Sequence, residues 1–251
     1  MKLTIGHLFP DLLNLYGDAG NLRCLQKRLE WRNIKAEIKS FSAGDNIDFG
    51  SLDLILLGGG SDREQKLACQ YLQNIRNNFK AYVENNGVVL AVCGGYQLLG
   101  TYYQTDREIL EGLGILDIYT DWKPKRLVQD IVIYNSLFQN PVVGFENHSG
   151  RTHIGNYAPL GKVLTGYGNT EAADYEGIIY KNVIGTYLHG PLLPKNPEVC
   201  DYLLTQAIKR KYGNAVRLQP LPDWLEYRAN HDLTRRLTAR KLHCCSQLRH
   251  R

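Results

Sequence analysis

The stretch Gly87-Val88-Val89-Leu90-Ala91-Val92-Cys93-Gly94-Gly95-Tyr96-Gln97 decides the fold. Its first half is a continuous apolar run, the pattern of a strand covered on both faces. The run stops at a cysteine, two glycines follow, and Tyr96-Gln97-Leu98-Leu99 reads as the start of a helix. A strand that feeds a helix through so tight a turn is a nucleophile elbow: the nucleophile projects into a cleft and its neighbours must be small. Ala91 and Gly95, two residues to either side of Cys93, are small. The turn leaves the Gly94 amide beside the sulfur at a helix start, which favours a thiolate and can hold an oxyanion. The competing reading is a buried cysteine that merely ends a core strand. The glycine pair and the strand before it favour the nucleophile.

Upstream of the elbow, strand-like and helix-like segments alternate. Lys2 to Phe9 forms a first strand, and the turn-rich Leu13-Asn14-Leu15-Tyr16-Gly17-Asp18-Ala19-Gly20-Asn21 leads into a helix carrying Leu22, Leu25 and Leu29. Lys35 to Phe41 and Leu52 to Leu57 are further strands, and Arg63 to Asn85 is a long amphipathic helix. Such alternation means an α/β fold: three layers, with a mainly parallel central sheet flanked by helices. Gly58-Gly59-Gly60-Ser61-Asp62 then stands at the C-terminal end of a parallel strand, as Cys93 does, and ligands bind at that edge. The chain contains neither Gly-x-x-x-x-Gly-Lys-Ser/Thr nor a Gly-x-Gly-x-x-Gly after the first strand. One strand before a cysteine elbow, the glycine loop is better read as an oxyanion donor than as a phosphate cradle.

After Gly100 the texture becomes β-rich, with Leu127 to Tyr134, Val142 to Phe145 and Glu176 to Tyr180 as strands separated by turns. Val183-Ile184-Gly185-Thr186-Tyr187-Leu188-His189-Gly190-Pro191 reads as a strand that ends in a histidine before a forced turn. A base must stand at such a place to reach a nucleophile on a neighbouring strand. His7, His148 and His153 are rivals: the first ends a strand, and the other two flank Gly150-Arg151 in what reads as a loop. The context favours His189. A helix from Asn196-Pro197 to Tyr212, a proline-rich turn and a terminal helix close the chain.

Composition sets bounds on function. The 251 residues with 43% hydrophobic content suit one sizeable α/β domain, and no apolar run approaches the roughly 18 residues of a membrane helix. The N-terminus lacks the apolar core of a signal peptide. The six cysteines show no CxxC spacing, so reduced thiols in a cytoplasmic protein without a metal site are expected. The formal charge is +5, and the segment from Glu226 to Arg251 alone holds seven basic and two acidic residues. A near-neutral body with a basic helical end does not indicate a nucleic-acid partner.

Taken together, Cys93-Gly94-Gly95-Tyr96-Gln97, Gly58 to Asp62 and Gly185 to Pro191 resemble the class I glutamine amidotransferases of the CobB/CobQ type. Leu13 to Tyr16, Gly59-Gly60-Ser61-Asp62-Arg63-Glu64-Gln65, Val143 to His148 and Leu188 to Pro191 are similar to one branch, the small glutaminase subunits of lipid II isoglutaminyl synthases. The resemblance makes residues 1–212 the amidotransferase domain and leaves 213–251 as a helical, basic tail. It implies that Cys93 attacks the side-chain amide of glutamine and that His189 moves the protons. It also implies that amides of Gly60 (or Gly59) and Gly94 hold the oxyanion, and that Gln97 and Arg126 bind the substrate. Read from its neighbours alone, Lys123-Pro124-Lys125-Arg126 is a basic surface turn.

Many class I members keep a glutamate two residues after the histidine. Here that residue is Pro191, and no carboxylate follows before Glu198. The resemblance implies that the acid comes from a partner, a MurT-like Mur-ligase synthetase. ATP and Mg are expected on that partner, which would amidate the D-glutamate α-carboxylate of the lipid II stem peptide at the inner face of a bacterial membrane. An amidotransferase subunit for another acceptor such as a cobyrinate, a stand-alone cysteine hydrolase and a non-catalytic subunit are the alternatives.

Overall fold

The computed structural model describes residues 1–247. Residues 248–251, the end of the expected basic tail, lie outside the described residues, as do the side chains from Arg240 onward, Cys244 and Cys245 among them. The strands are β1 (Lys2–Leu8), β2 (Lys35–Phe41), β3 (Leu54–Leu57), β4 (Val88–Val92), β5 (Tyr102–Gln104), β6 (Ile109–Glu111), β7 (Tyr119–Tyr134), β8 (Val142–His153), β9 (Gly161–Thr165), β10 (Tyr175–Glu176), β11 (Ile178–Tyr180) and β12 (Val183–Thr186). The helices are α1 (Ala19–Glu30), α2 (Asp62–Glu84), α3 (Gly94–Leu98), α4 (Pro197–Tyr212) and α5 (Trp224–Gln247).

The first sheet runs β11-β12-β4-β3-β1-β2, parallel throughout except for the edge strand β11. All residues of β3 and β4 are buried, as their unbroken apolar runs require. From β1 the chain crosses over to β2, and from β3 it crosses in the opposite direction to β4. Right-handed crossovers therefore put α1 and α2 on opposite faces. The strand order reverses between β1 and β3, which opens a crevice at their C-terminal ends. Helix α2 starts at Ser61 with a capping box closed by Glu64, so the glycine loop after β3 is fixed to a helix start. The three-layer architecture read from the sequence is the one observed.

The β-rich half forms a second sheet, β10-β9-β7-β5-β6, with β8 paired along β7. Two readings of this half need correction. Lys123 to Arg126 is no surface turn but a bulge within the 16-residue strand β7, where the register breaks between Trp122 and Leu127. Pro124, which cannot donate to a ladder, is tolerated there because a bulge interrupts the pairing. Likewise His148, Gly150, Arg151 and His153 do not form a loop: all lie in β8, paired to β7.

The helix after Trp224 forms, but it is no loose appendage. Leu237 packs on Val132 and Val143 beneath the second sheet, and Asn230 donates to the carbonyls of Pro141 and Lys195. Asp223, at its start, pairs with the buried Arg28 of α1.

Candidate active site

Sheet order alone brings the predicted residues together. Leu57 lies opposite Ala91, and Val92 opposite Thr186. The continuations of β12, β4 and β3 past these residues therefore leave the sheet side by side, carrying His189, Cys93 and Gly58 to Gly60. The Cys93 amide donates to the Thr186 carbonyl at 2.7 Å, which fixes the elbow to β12.

Cys93 has φ 50° and ψ −107°, a strained backbone for a side-chain-bearing residue and the conformation an elbow imposes. Gly95 donates to the Gly58 carbonyl at 3.0 Å. A Cβ on Gly95 would meet the Leu57 carbonyl oxygen at 2.5 Å, which is why the position must be glycine. Gly59 faces the elbow from the next strand. The Gly59 amide donates to Asp18 Oδ2 at 2.8 Å and is already engaged. Among the described residues the amides of Gly60 and Gly94 have no such partner and remain free to donate, whereas the engaged amide of Gly59 is set aside as an oxyanion donor.

His189 does not end a strand: β12 stops at Thr186, and the next three residues carry the chain from the first sheet to the second. His189 there exchanges two backbone hydrogen bonds with Phe145 of β8. Its imidazole is wholly buried, with Nδ1 3.5 Å from Asp18 Oδ1, and it stands together with Cys93 against Gly59. Burial disfavours a charged ring, yet the facing Cys93 sulfur and the Asp18 carboxylate outweigh it and push the imidazole up to about 10.

Gln97 lies one helical turn past Cys93 and donates to the Tyr187 hydroxyl at 3.0 Å. That hydroxyl also bonds Thr152, and Thr152 bonds Thr120, so a polar chain links the elbow to the second sheet. His148 stacks on Tyr187 with centroids 3.7 Å apart and is held by the Gly150 carbonyl, a buried structural histidine whose pKa burial lowers. Glu176 accepts from the Tyr187 amide and the Thr186 hydroxyl, and burial pushes it up to about 8 in spite of both. His7 is buried in β1, and His153 pairs with Asp121 at the rim.

Arg126 is not gathered into this buried cluster. It stands exposed on the β7 bulge, donating to the Asn147 side chain and carbonyl and to the Ser149 hydroxyl of β8. Ser149 adjoins Gly150, where a Cβ would meet Gln97 Nε2 at 2.3 Å. The guanidinium is thus braced on the strand that passes Gln97. Asp18, Tyr187 and Glu176 escaped the sequence reading. Only for Asp18 was there a signal, an acidic residue in the loop after the strand that neighbours the glycine loop.

An elbow cysteine on a parallel sheet, facing a buried histidine three residues past the adjacent strand, defines a thiol-dependent acyl-transfer enzyme. The CobB/CobQ-like glutamine amidotransferase domain matches residues 4–197, and the chain belongs to that family. It is 50% identical over 211 residues to the GatD subunit of the glutamine-hydrolyzing lipid II isoglutaminyl synthase of Staphylococcus aureus, covering 84% of this chain and 86% of that one. The corresponding Streptococcus pneumoniae subunit is 40% identical over 227 residues, covering 89% and 87%. The cobyric acid synthase of Listeria innocua is 34% identical over 154 residues, but these cover only 57% of this chain and 29% of that protein. Among solved structures, a glutamine amidotransferase matches with TM-score 0.50 at 18% identity, covering 81% of this chain and 98% of its own. The glutaminase domain of Trypanosoma brucei CTPS, solved with acivicin bound, matches with TM-score 0.50 at 13% identity, covering 84% and 95%. These two support the fold. Among the described residues no helix is long and apolar enough to cross a membrane.

Proposed function

We propose that this chain is the glutaminase subunit of a lipid II isoglutaminyl synthase. The observation that carries the reading is the buried Cys93–His189 pair beside the Gly60 and Gly94 amides, in a chain that is half identical to such a subunit along most of its length. The Cys93 thiolate attacks the carboxamide carbon of L-glutamine. The amides of Gly60 and Gly94 stabilise the oxyanion, an effect typically worth about 3 kcal/mol per donor. The His189 imidazolium gives its proton to the departing nitrogen, ammonia leaves, and a γ-glutamyl thioester remains on Cys93. His189, now neutral, takes a proton from water as that water attacks the thioester. Glutamate then leaves and the thiolate–imidazolium pair is restored. Arg126 receives the substrate α-carboxylate as a planar fork, and Gln97 lines the site.

The ammonia passes to a MurT-like synthetase that holds ATP and Mg and amidates the D-glutamate α-carboxylate of the lipid II stem peptide, at the cytoplasmic face of the membrane. The similarity to whole GatD subunits, each covered over more than four-fifths of its length, supports this acceptor over a cobyrinate. The test is transfer of nitrogen from amide-labelled glutamine in a reconstituted mixture of this chain, the synthetase, ATP and lipid II. The label is expected in D-isoglutamine, with transfer lost in Cys93→Ala. Glutamine turnover with unlabelled lipid II would contradict the assignment of the acceptor.

A further inference from the structure

The histidine of the site needs an acid at Nδ1, and the residues that follow it do not supply one. Pro191 has no carboxylate, and the Glu198 carboxylate is occupied at the turn before β8, where it accepts from the Gln139 and Asn140 amides and from the Asn140 side chain. Asp18 arrives from the other end of the chain. It sits between β1 and α1, wholly buried, with its two oxygens aimed at two different parts of the site. Oδ2 accepts the Gly59 amide at 2.8 Å, and Oδ1 lies 3.5 Å from His189 Nδ1, with no other hydrogen-bond partner among the described residues.

The surroundings hold Asp18 there. The Leu15 amide donates to the Gly59 carbonyl, so the loop before α1 clasps the glycine loop on both sides of Gly59. Asn21 accepts the Leu193 amide. A Cβ on Gly20 would meet Pro191 Cγ at 2.5 Å, so the start of α1 is pressed against the turn that follows His189. A carboxylate shut away from water persists only where donors face it. Here those donors are one amide of the glycine loop and the catalytic imidazole.

We propose that Asp18 of this chain completes a Cys93–His189–Asp18 relay and, through the Gly59 amide, locks the glycine loop in register with it. Its hydrogen bond from Nδ1–H fixes the tautomer that leaves Nε2 for the Cys93 sulfur. Its charge holds the imidazolium. The 3.5 Å separation is longer than a formed hydrogen bond, and such catalytic contacts tighten when substrate arrives. The chain would then need no acid from a partner. Asp18 acts through His189 and Gly59 and is a positioning residue. The charged and titratable groups around the imidazole are Cys93, Asp18 and Glu176. Among the described residues, Glu146 acts electrostatically on Glu176, His7 feels the charge of Asp18, and Lys195 lies beside Gly190. Of these only Asp18 faces Nδ1 as an acceptor.

The kinetic consequence rests on the glutaminase reading, but the relay can be tested without glutamine. The rate of Cys93 alkylation by iodoacetamide is followed across neutral pH in the full chain, by peptide mass spectrometry, for wild type, Asp18→Asn, Asp18→Glu and Glu198→Gln. In Asp18→Asn the alkylation midpoint should rise by about one pH unit, and the rate on the acid side should fall roughly tenfold. Asp18→Glu should recover part of the shift, and Glu198→Gln should match the wild type. With glutamine as substrate, kcat of Asp18→Asn should fall on the order of a hundredfold with little change in KM. Should Asp18→Asn fail to fold, a low-field Nδ1 proton assigned to His189 by NMR in the wild type supports the relay, and its absence overturns it. An alkylation profile of Asp18→Asn superimposed on the wild type also overturns the relay. A shifted profile in a chain that never hydrolyses glutamine would keep the relay and overturn the glutaminase reading instead.

Discussion

Gly59 faces Cys93 so closely that a Cβ on it would lie 3.0 Å from the Cys93 Cβ and 3.4 Å from His189 Cε1. The wall opposite the nucleophile is therefore bare backbone, and the space it leaves is where a carboxamide must enter. Gly59→Ala should keep the fold, because the strands on either side are unaffected. It should displace the sulfur and the ring by a few tenths of an ångström. Misplacement of reacting groups on that scale is expected to lower kcat roughly ten- to a hundredfold. Steady-state glutamate release beside a thermal melt checks this: a fall in Tm that accounts for the lost activity would contradict it.

A buried carboxyl makes stability depend on pH. Glu176 is pushed up to about 8 by burial, well above the ordinary carboxylate range. Its folded-state pKa is raised, so its contribution is fully present below the unfolded value near 4.5 and is lost as pH rises through about 8. Glu176→Gln keeps an acceptor for the Tyr187 amide and the Thr186 hydroxyl but cannot ionise. Relative to wild type it should melt higher at alkaline pH and about equally at acid pH, the difference growing to a few kcal/mol. Urea titrations at several pH values would show it, and a constant offset between the two proteins would count against the assignment.

Arg28, buried in α1, forks to Asp201 of α4 and to Asp223 before α5, and Arg32 joins it on Asp201. This cluster holds the C-terminal helix to the body. Removing the central cation by Arg28→Ala leaves Asp223 buried without its partner and should cost about 3–5 kcal/mol in equilibrium unfolding. The double variant Arg28→Ala with Asp223→Ala should recover part of that loss. Strictly additive costs would show that the pair is not coupled.

Arg126 is exposed and, among the described residues, braced by Asn147 and Ser149. Arg126→Ala should leave stability within about 0.5 kcal/mol and leave the alkylation profile of Cys93 unchanged. It should raise KM for glutamine at least tenfold, the loss of one charge-assisted fork. Retained KM would return Arg126 to the role of a surface arginine.

Much of the first sheet was legible, because its central strands β3 and β4 are apolar runs that end in glycine-rich turns. The elbow was legible because Cys93 needs small neighbours on both sides. The second sheet was less so. Pro124 and the basic residues around it imitate a turn, and only pairing with β8 shows them to be a bulge. Gly150 and Arg151 imitate a loop, since neither has strand propensity and both are held by contacts from distant segments. His189 was found for a partly mistaken reason: the strand stops at Thr186, and the histidine is placed by Phe145 from the other sheet. Asp18 could not be paired with His189 from spacing, since only the folding of the first loop over the sheet edge brings them together.

Glutamine hydrolysis by Cys93 and His189 underlies every role assigned above. The most direct measurement is glutamate and ammonia release from L-glutamine by the purified chain, alone and with the ATP-dependent synthetase added, for wild type, Cys93→Ala and His189→Ala. Turnover is expected in the wild type, with or without the synthetase, and both substitutions should abolish it. Equal release from wild type and Cys93→Ala, or silence of the wild type with the synthetase bound, would contradict that expectation.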